Sequence, residues 1–353
     1  MNNNPVPQLM VTIDPWLKNI NDYKEMLKDG TTLFKIDLNL NRKMDIDLVI
    51  NKINRLLKNR NNDNQLLLDF SICPVLGNIR MLPIKVNEII EARESNDSSE
   101  YLPLIGLNRV SSHLKVGNRI IFEDGQVIFE VIEIINEECI RLNCLKNDVP
   151  LRPDVISILP DTQFSNDVTS IKDLEFIKYL VKSNLKPNYI AYPYTNTREV
   201  IQLKNLITLI CDTNYQEKSI KMITKVETIQ AIKNLNFILV KTDGVLLDRG
   251  GIMFSSSAFI LPKIQKNLLS QVKNSKKITI LSSGIFKQFL SHGFVNRAEL
   301  SDISLAVQQH VDILVLDKPK KSFSHLIEAV KLIEKIIMVE KCYDLSGKST
   351  YKV

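Results

Sequence analysis

The sequence is poor in the residues that cross-link, chelate or punctuate a chain. Of its 353 residues only 5 are cysteine, 4 histidine and 1 tryptophan, and glycine contributes 11. The cysteines stand at 73, 139, 144, 211 and 342, none in a CxxC pair. An odd number without close spacing excludes a disulfide-stapled scaffold, and with so few histidines it argues against a structural zinc site. It fits a reducing compartment, so a cytoplasmic location is expected. No apolar run reaches the ~18 residues of a membrane-spanning helix. The start, MNNNPVPQLM, lacks the basic-then-apolar pattern of a secretory leader, so no membrane partner is expected. Charge of one sign is also scarce. The 46 basic and 40 acidic residues leave a net +6 without a long basic block, so no nucleic-acid partner is expected.

What is present is the composition of a globular protein, 44% hydrophobic and 24% charged. A chain of this length buries a core without staples. Short β-branched runs alternate with helical stretches, a rhythm that predicts a parallel sheet. Strands are expected at 8–13, 32–37, 66–69, 188–192, 219–225, 237–243, 277–283 and 312–317. Helical spacing is read over 17–29, ending at Gly30, and over 324–341. Eight strands suggest a closed α/β barrel of the TIM (β/α)8 type. Polar residues stand where the strands run out: Asp37, Asp69, Lys225, Asp243, Ser283 and Asp317. In such a barrel those ends form the active-site face.

The interval between the third and fourth strands is too long for one crossover. Residues 119–134 alternate apolar and polar around Asp124-Gly125, a hairpin signal. An all-β insert in a barrel loop is therefore expected after strand three. Residues 92–100 read as a mobile polar loop. The expected division is 1–80 and 161–345 for the barrel, 81–160 for the insert, and 346–353 for a tail.

An ordered series of motifs resembles the pyruvate kinase family. TIDP (12–15) stands for TIGP, followed by KEML (24–27) and Gly30. KIDLN (35–39) stands for RxNFS, and LLLD (66–69) with GNIR (77–80) for the LDTKGPEIR region. VGNRIIFEDGQV (116–127) is similar to the family hairpin VGxxIyvDDG, and SILPD (157–161) with SIKDLEF (170–176) to the return into the barrel. ITKVE (223–227) stands for ISKIE, TDGVLLDRGG (242–251) for SDGIMVARGD, ILSSG (280–284) for CATQM, and NRAELSDISLAV (296–307) for TRAEgSDVANAV. No single match suffices, but the collinear series is specific.

The resemblance implies a TIM (β/α)8 barrel with a small all-β barrel lid inserted after strand three, and phosphoryl transfer from phosphoenolpyruvate to ADP, giving pyruvate and ATP, with Mg²⁺ (or Mn²⁺) and K⁺ as cofactors. It implies that Lys225 is the catalytic ammonium, Glu227 a Mg²⁺ ligand, and Ser283 a hydroxyl near substrate in place of Thr. Lys35 stands where an Arg holds phosphate, a swap that loses the planar fork of donors. Arg80 keeps the second phosphate-facing arginine. Asp37, Asn39, Asp69 and the Phe70 carbonyl take the K⁺ positions, the first two changed from Asn and Ser. Asp317-Lys318-Pro319 replaces SGE. The main departure is Gly251, where the family has the second Mg²⁺ carboxylate. Asp248, three residues back, is expected to point elsewhere, while the N–H groups of Gly250 and Gly251 are expected to face a substrate carboxylate. The family's C-terminal domain is expected to be absent. Two readings follow: a weakened pyruvate kinase, or a catalytically silent homologue that binds a partner, such as a homo- or hetero-oligomer with pyruvate kinase chains.

Overall fold

The computed structural model describes residues 6–13, 33–39, 51, 65–79, 84–162, 164, 176–177, 187–193, 197–212, 220–317 and 323–346. The helical reading at 17–29, Trp16 and Arg80 lie outside them.

Strands β1 (Gln8–Ile13), β2 (Leu33–Leu38) and β3 (Gln65–Phe70) begin a parallel barrel. The chain then leaves it through β4 (Val75–Leu76), β5 (Asn78–Ile79), β6 (Ile89–Arg93), β7 (Asp97–Ser98), β8 (Leu102–Ile105), β9 (Arg119–Phe122), β10 (Val127–Asn136) and β11 (Cys139–Asn147). It returns as β12 (Tyr189–Tyr192), β13 (Lys221–Val226), β14 (Gly244–Asp248), β15 (Ile278–Ser282) and β16 (Ile313–Leu316). The closed order is β1-β16-β15-β14-β13-β12-β3-β2, the (β/α)8 barrel expected.

Side-chain alternation builds two cores from one set of strands. Outward positions such as Phe34, Ile36, Leu66, Leu68, Val245 and Leu247 pack against helices. Inward positions Met10, Leu33, Leu67, Ile223, Leu246, Ile280 and Ile313 fill the interior. Two residues further along, the inward positions turn polar: Lys35 and Asp37 on β2, Asp69 on β3, Lys225 on β13, Asp248 on β14, Ser282 on β15, and Asp317 just past β16. An apolar plug below thus carries a polar layer at the carboxyl ends.

One strand is misplaced by the sequence reading. Residues 237–239 of the expected strand 237–243 belong to the helix Leu235–Leu239, and the strand follows at Gly244–Asp248. Phe-Ile-Leu-Val is apolar enough for either element, and periodicity does not separate them over so short a run. Tertiary bonds decide. Asp243 N donates to Met222 O at 2.8 Å, and Asp243 Oδ2 accepts from Met222 N at 2.9 Å. Asp243 therefore lies at the amino-terminal end of the barrel, away from the polar mouth.

The excursion forms a six-stranded sheet, ordered β4-β8-β6-β11-β10-β9. Its edges β4 and β9 both meet residues 155–158: Leu76 N donates to Val155 O at 2.9 Å, and Ile121 N to Ile158 O at 3.0 Å. Phe122, Phe129, Val131, Ile140 and Leu142 fill its core. The β9–β10 hairpin turns through Asp124 (φ 57°) and Gly125 (φ 86°). Residues 92–100 are more ordered than a polar loop. They contain β7, the Glu94 carboxylate accepts from Gly106 N and Asn108 N, and Ser98 Oγ accepts from Glu100 N and Tyr101 N. Local side-chain acceptors replace the ladder bonds that a polar sequence does not announce. The reading at 324–341 corresponds to the helix Phe323–Ser346.

Candidate active site

A cavity of about 680 Å³ opens at the carboxyl ends of the barrel strands, beneath residues of the second sheet. Lys35, Asp37, Asp69, Lys225, Glu227, Asp248, Ser283 and Asp317 line it. The alternation of the strands explains most of this set. Each inward side chain at the last turn of a strand must face the mouth, whatever its chemistry.

The floor is an ionic cluster. Lys35 Nζ donates to Asp37 Oδ1 at 2.5 Å and to Asp69 Oδ2 at 2.9 Å. Lys225 Nζ donates to the Phe70 carbonyl at 3.1 Å and stands 3.0 Å from Asp69 Oδ1, off the hydrogen-bond direction. It is also 3.5 Å from Glu227 Oε2. Lys35, Asp69 and Lys225 are all buried. Burial by itself opposes charge on each, but the partners win. Both lysines are held above their ordinary range by the carboxylates, and Asp69 is held below its own by Lys225 and Lys35. Lys35, Lys225 and Asp69 are thus charged at neutral pH. Lys35, expected to hold phosphate, is instead turned into this floor, because two carboxylates within reach outcompete open solvent for its ammonium.

Asp248 is the residue that the sequence reading misdirects. As the last residue of β14, two beyond the inward Leu246, it faces the cavity. Its Oδ1 accepts from Ser283 Oγ at 2.5 Å, Gly250 N at 3.0 Å and Gly251 N at 3.4 Å. It caps the helix Arg249–Ser255. This corrects the expectation for Gly250 and Gly251, whose N–H groups are engaged by the chain's own carboxylate. Gly251 is also closely covered. A Cβ there would stand 2.7 Å from both Glu227 Cβ and Glu227 O. The glycine allows the helix start to press against Glu227.

Glu227 is pushed toward its neutral form by burial first; Lys225 opposes the shift and Asp248 and Asp69 add to it. Ser283 holds a positive φ of 70°, a conformation costly for a non-glycine residue and often kept at functional sites. Arg249 braces it: Nε donates to Ser283 O at 3.0 Å and a terminal nitrogen to Asp302 Oδ1 at 2.5 Å. Sequence reasoning missed Arg249, Asp302, Lys287 and Asp124 as well as Asp248. Lys287 pairs with Asp124 of the hairpin turn, and Arg119 bonds both Asp161 and the Phe254 carbonyl (2.9 Å). These pairs join the second sheet to the barrel mouth. Only the long-range fold brings them together, so no local signal marks them. Asn39 turns its amide onto Cys73 O at 2.8 Å. The Cys73 thiol is pushed up to about 12, by burial and then by Glu227, which keeps it un-ionised and unreactive at neutral pH. His113 packs its ring edge on Phe164.

Asp317 carries a stability cost. Burial raises its pKa, Lys35 and Lys287 oppose the shift, and Asp37 and Asp248 add to it. An acid whose folded pKa is raised weakens the fold above that pKa and is neutral in effect below its unfolded pKa. Asp317→Asn is therefore expected to raise the melting temperature at pH 7. The gain should fade as pH falls through the ordinary carboxylate range, which thermal melts across pH would record. A lower melting temperature at pH 7 would contradict it.

The family model described as "Pyruvate kinase, barrel domain" matches residues 6–322. The pyruvate kinase of Thermotoga maritima is 23% identical over 339 residues, covering 93% of this chain and 70% of that protein. That of Methanocaldococcus jannaschii is 26% identical over 236 residues, 67% of this chain and 50% of the relative. In fold, the crystal structure of Cryptosporidium parvum pyruvate kinase superposes with a TM-score of 0.79 at 18% identity, over 96% of this chain and 71% of that one. A structure of the same enzyme in complex with ADP gives 0.77 at 19%, over 94% and 67%. With most of its length inside that barrel model, and a barrel closed in the same way, this chain belongs to the pyruvate kinase family.

Proposed function

We propose that the mouth cavity binds phosphoenolpyruvate and ADP and transfers the phosphoryl group slowly, with a rearranged metal site. The observation that carries this reading is Asp248, turned into the cavity that Glu227 and Lys225 also line. Phosphoryl transfer is mainly positioning and charge neutralisation. Lys225 supplies a fixed, desolvated ammonium for the developing charge, and Ser283 supplies a hydroxyl beside it. Among the described residues no group of three or more His, Cys, Asp or Glu side chains is arranged to hold a metal ion. Mg²⁺, however, often takes only one or two carboxylates and completes its shell with water and substrate phosphates. Glu227 and Asp248 fit that requirement, since both line the cavity and Asp248 raises the cost of the Glu227 negative charge, which a divalent cation relieves. Bound there, the metal would neutralise phosphate oxygens. The ADP complex of the Cryptosporidium enzyme supports the nucleotide half of the reading.

The test is ATP formation from phosphoenolpyruvate and ADP across a Mg²⁺ and Mn²⁺ series. Slow, metal-dependent turnover is expected. No turnover by a folded sample at saturating metal would reject this reading and leave the second one, a silent homologue that binds a ligand or partner. That second reading draws on one observation: Gly250, Gly251 and Lys35 spend their donors inside the chain.

Two variants probe the metal site directly. Asp248→Asn keeps a helix cap but removes a charge, and Glu227→Gln removes the other. Each is expected to weaken Mn²⁺ binding by about 10-fold or more, a typical effect of disturbing a metal's ligand shell. Electron paramagnetic resonance titration reads this without turnover. Unchanged binding in Asp248→Asn would reduce Asp248 to a cap. Gly251→Asp restores the family residue, yet it should not restore function. Its Cβ overlaps Glu227, and overpacking of this kind costs about 1–3 kcal/mol. A denaturant melt would show the loss, and tighter Mn²⁺ binding by this variant would contradict the geometry.

A further inference from the structure

The four positions that resemblance assigns to K⁺ do not fit that ion in this chain. Asp37 and Asp69 each give an oxygen to Lys35 Nζ, at 2.5 and 2.9 Å. The other Asp69 oxygen lies 3.0 Å from Lys225 Nζ, which also takes the Phe70 carbonyl at 3.1 Å. Asn39 directs its amide nitrogen at Cys73 O, 2.8 Å away. At each of the four positions at least one polar atom is thus already engaged by an ammonium or another bond of the chain. We propose that the Lys35 ammonium is a built-in replacement for the monovalent cation, so that the site assembles without K⁺.

The physical case rests on charge, space and entropy. An ammonium and a potassium ion carry the same charge, are similar in size, and both prefer oxygen partners. Lys35 Nζ already stands between the Asp37 and Asp69 carboxylates, where the monovalent ion would sit. Adding K⁺ would either crowd a second cation against the same oxygens or expel Lys35, whose side chain is only 6% exposed. Expulsion strands a desolvated charge, a cost that a weakly held, exchangeable ion does not repay. The tethered cation also needs no capture from solution and does not dissociate. Lys35 reaches this place because it alternates inward on β2, as does Asp37, and because β3 pairs in register with it: Lys35 opposite Leu67 and Asp37 opposite Asp69.

The inference rests on the family reading of those four positions but not on turnover, and its test is chosen accordingly. The purified full chain is melted in KCl and in tetramethylammonium chloride at a matched ionic strength of about 0.1 M. Equal melting temperatures, within about 1 °C, are expected for the wild type. Thallium-205 resonance, with Tl⁺ standing for K⁺, is expected to show no bound ion. Lys35→Met removes the internal cation and should create K⁺-specific stabilisation, because an ion that binds only the folded state raises its melting temperature by mass action. If Lys35→Met does not fold, the wild-type melts and Tl⁺ spectra decide alone. A K⁺-specific rise in the wild-type melting temperature, or a bound Tl⁺ signal, would overturn the proposal. Phosphoenolpyruvate affinity by calorimetry should likewise change by less than about twofold between the two salts. A tenfold gain in KCl would overturn it as well, whether or not the chain turns over.

Discussion

Asp69→Asn is expected to destabilise the fold by about 3–5 kcal/mol, the range for removing one partner from a buried ion cluster. Among the described residues, Asp69 alone pairs with both buried lysines, through different oxygens. An asparagine keeps the shape but not the charge. It leaves Lys35 with Asp37 and Lys225 with Glu227, and both ammoniums lose the one negative charge they share. For a chain of this size the loss corresponds to a melting temperature lower by roughly 4–7 °C. Its pH dependence gives a second check. Burial would raise the Asp69 pKa, but Lys225 and Lys35 hold it below the ordinary carboxylate value. The stability it contributes is thus present above the unfolded pKa, near about 4, and is lost as pH falls through the lower folded one. The gap between wild type and Asp69→Asn should be full at pH 7 and close in strong acid. A loss under about 1 kcal/mol at pH 7 would mean the cluster is solvated and not the buried unit described.

Lys225→Met is expected to reduce phosphoenolpyruvate-dependent ATP formation by about 10²–10³-fold or more, the scale for removing a preorganised charge at a reacting group. The side chain reaches the cavity from β13 and is held by Asp69, Glu227 and the Phe70 carbonyl, so it is aimed before any ligand arrives. Methionine fills a similar volume, but it leaves Glu227 buried without its cation. A fall in stability should therefore accompany the fall in rate, and melts separate the two. Turnover that survives in a folded Lys225→Met sample would remove Lys225 from the chemistry. If the wild type has no turnover either, this comparison is silent, and Mn²⁺ binding at Glu227 and Asp248 becomes the measure of the site.

The barrel was legible in the chain because period-two burial is local. Runs such as Leu66–Leu68 and Ile313–Leu316, short and apolar between helical stretches, fit strands buried on both faces. Lys225, Glu227, Asp69 and Ser283 were legible through motifs, which preserve position as well as chemistry. Asp248 was not, for a traceable reason. Once strand six was placed at 237–243, Asp243 took the mouth position and Asp248 fell into a loop. Placed at Gly244–Asp248, the same alternation turns Asp248 inward, two residues past Leu246. A one-strand error in register therefore moved one carboxylate out of the site and another into it.

Composition and alternation settled the eight-stranded architecture and the residue types that crown it, since both depend on neighbours along the chain. The pairing of those residues belongs to the closed barrel. Lys35 reads from its motif as a phosphate holder, and its local sequence gives no reason to think otherwise. One of its two partners, Asp37, lies two residues along the same strand, but the other, Asp69, is 34 residues away and is brought alongside by strand pairing. Gly250 and Gly251 likewise read as open donors until Asp248 swings under them. Electrostatic partners are chosen by distance in space, at a few ångströms and out of water, and chain closure alone determines which charges come that near.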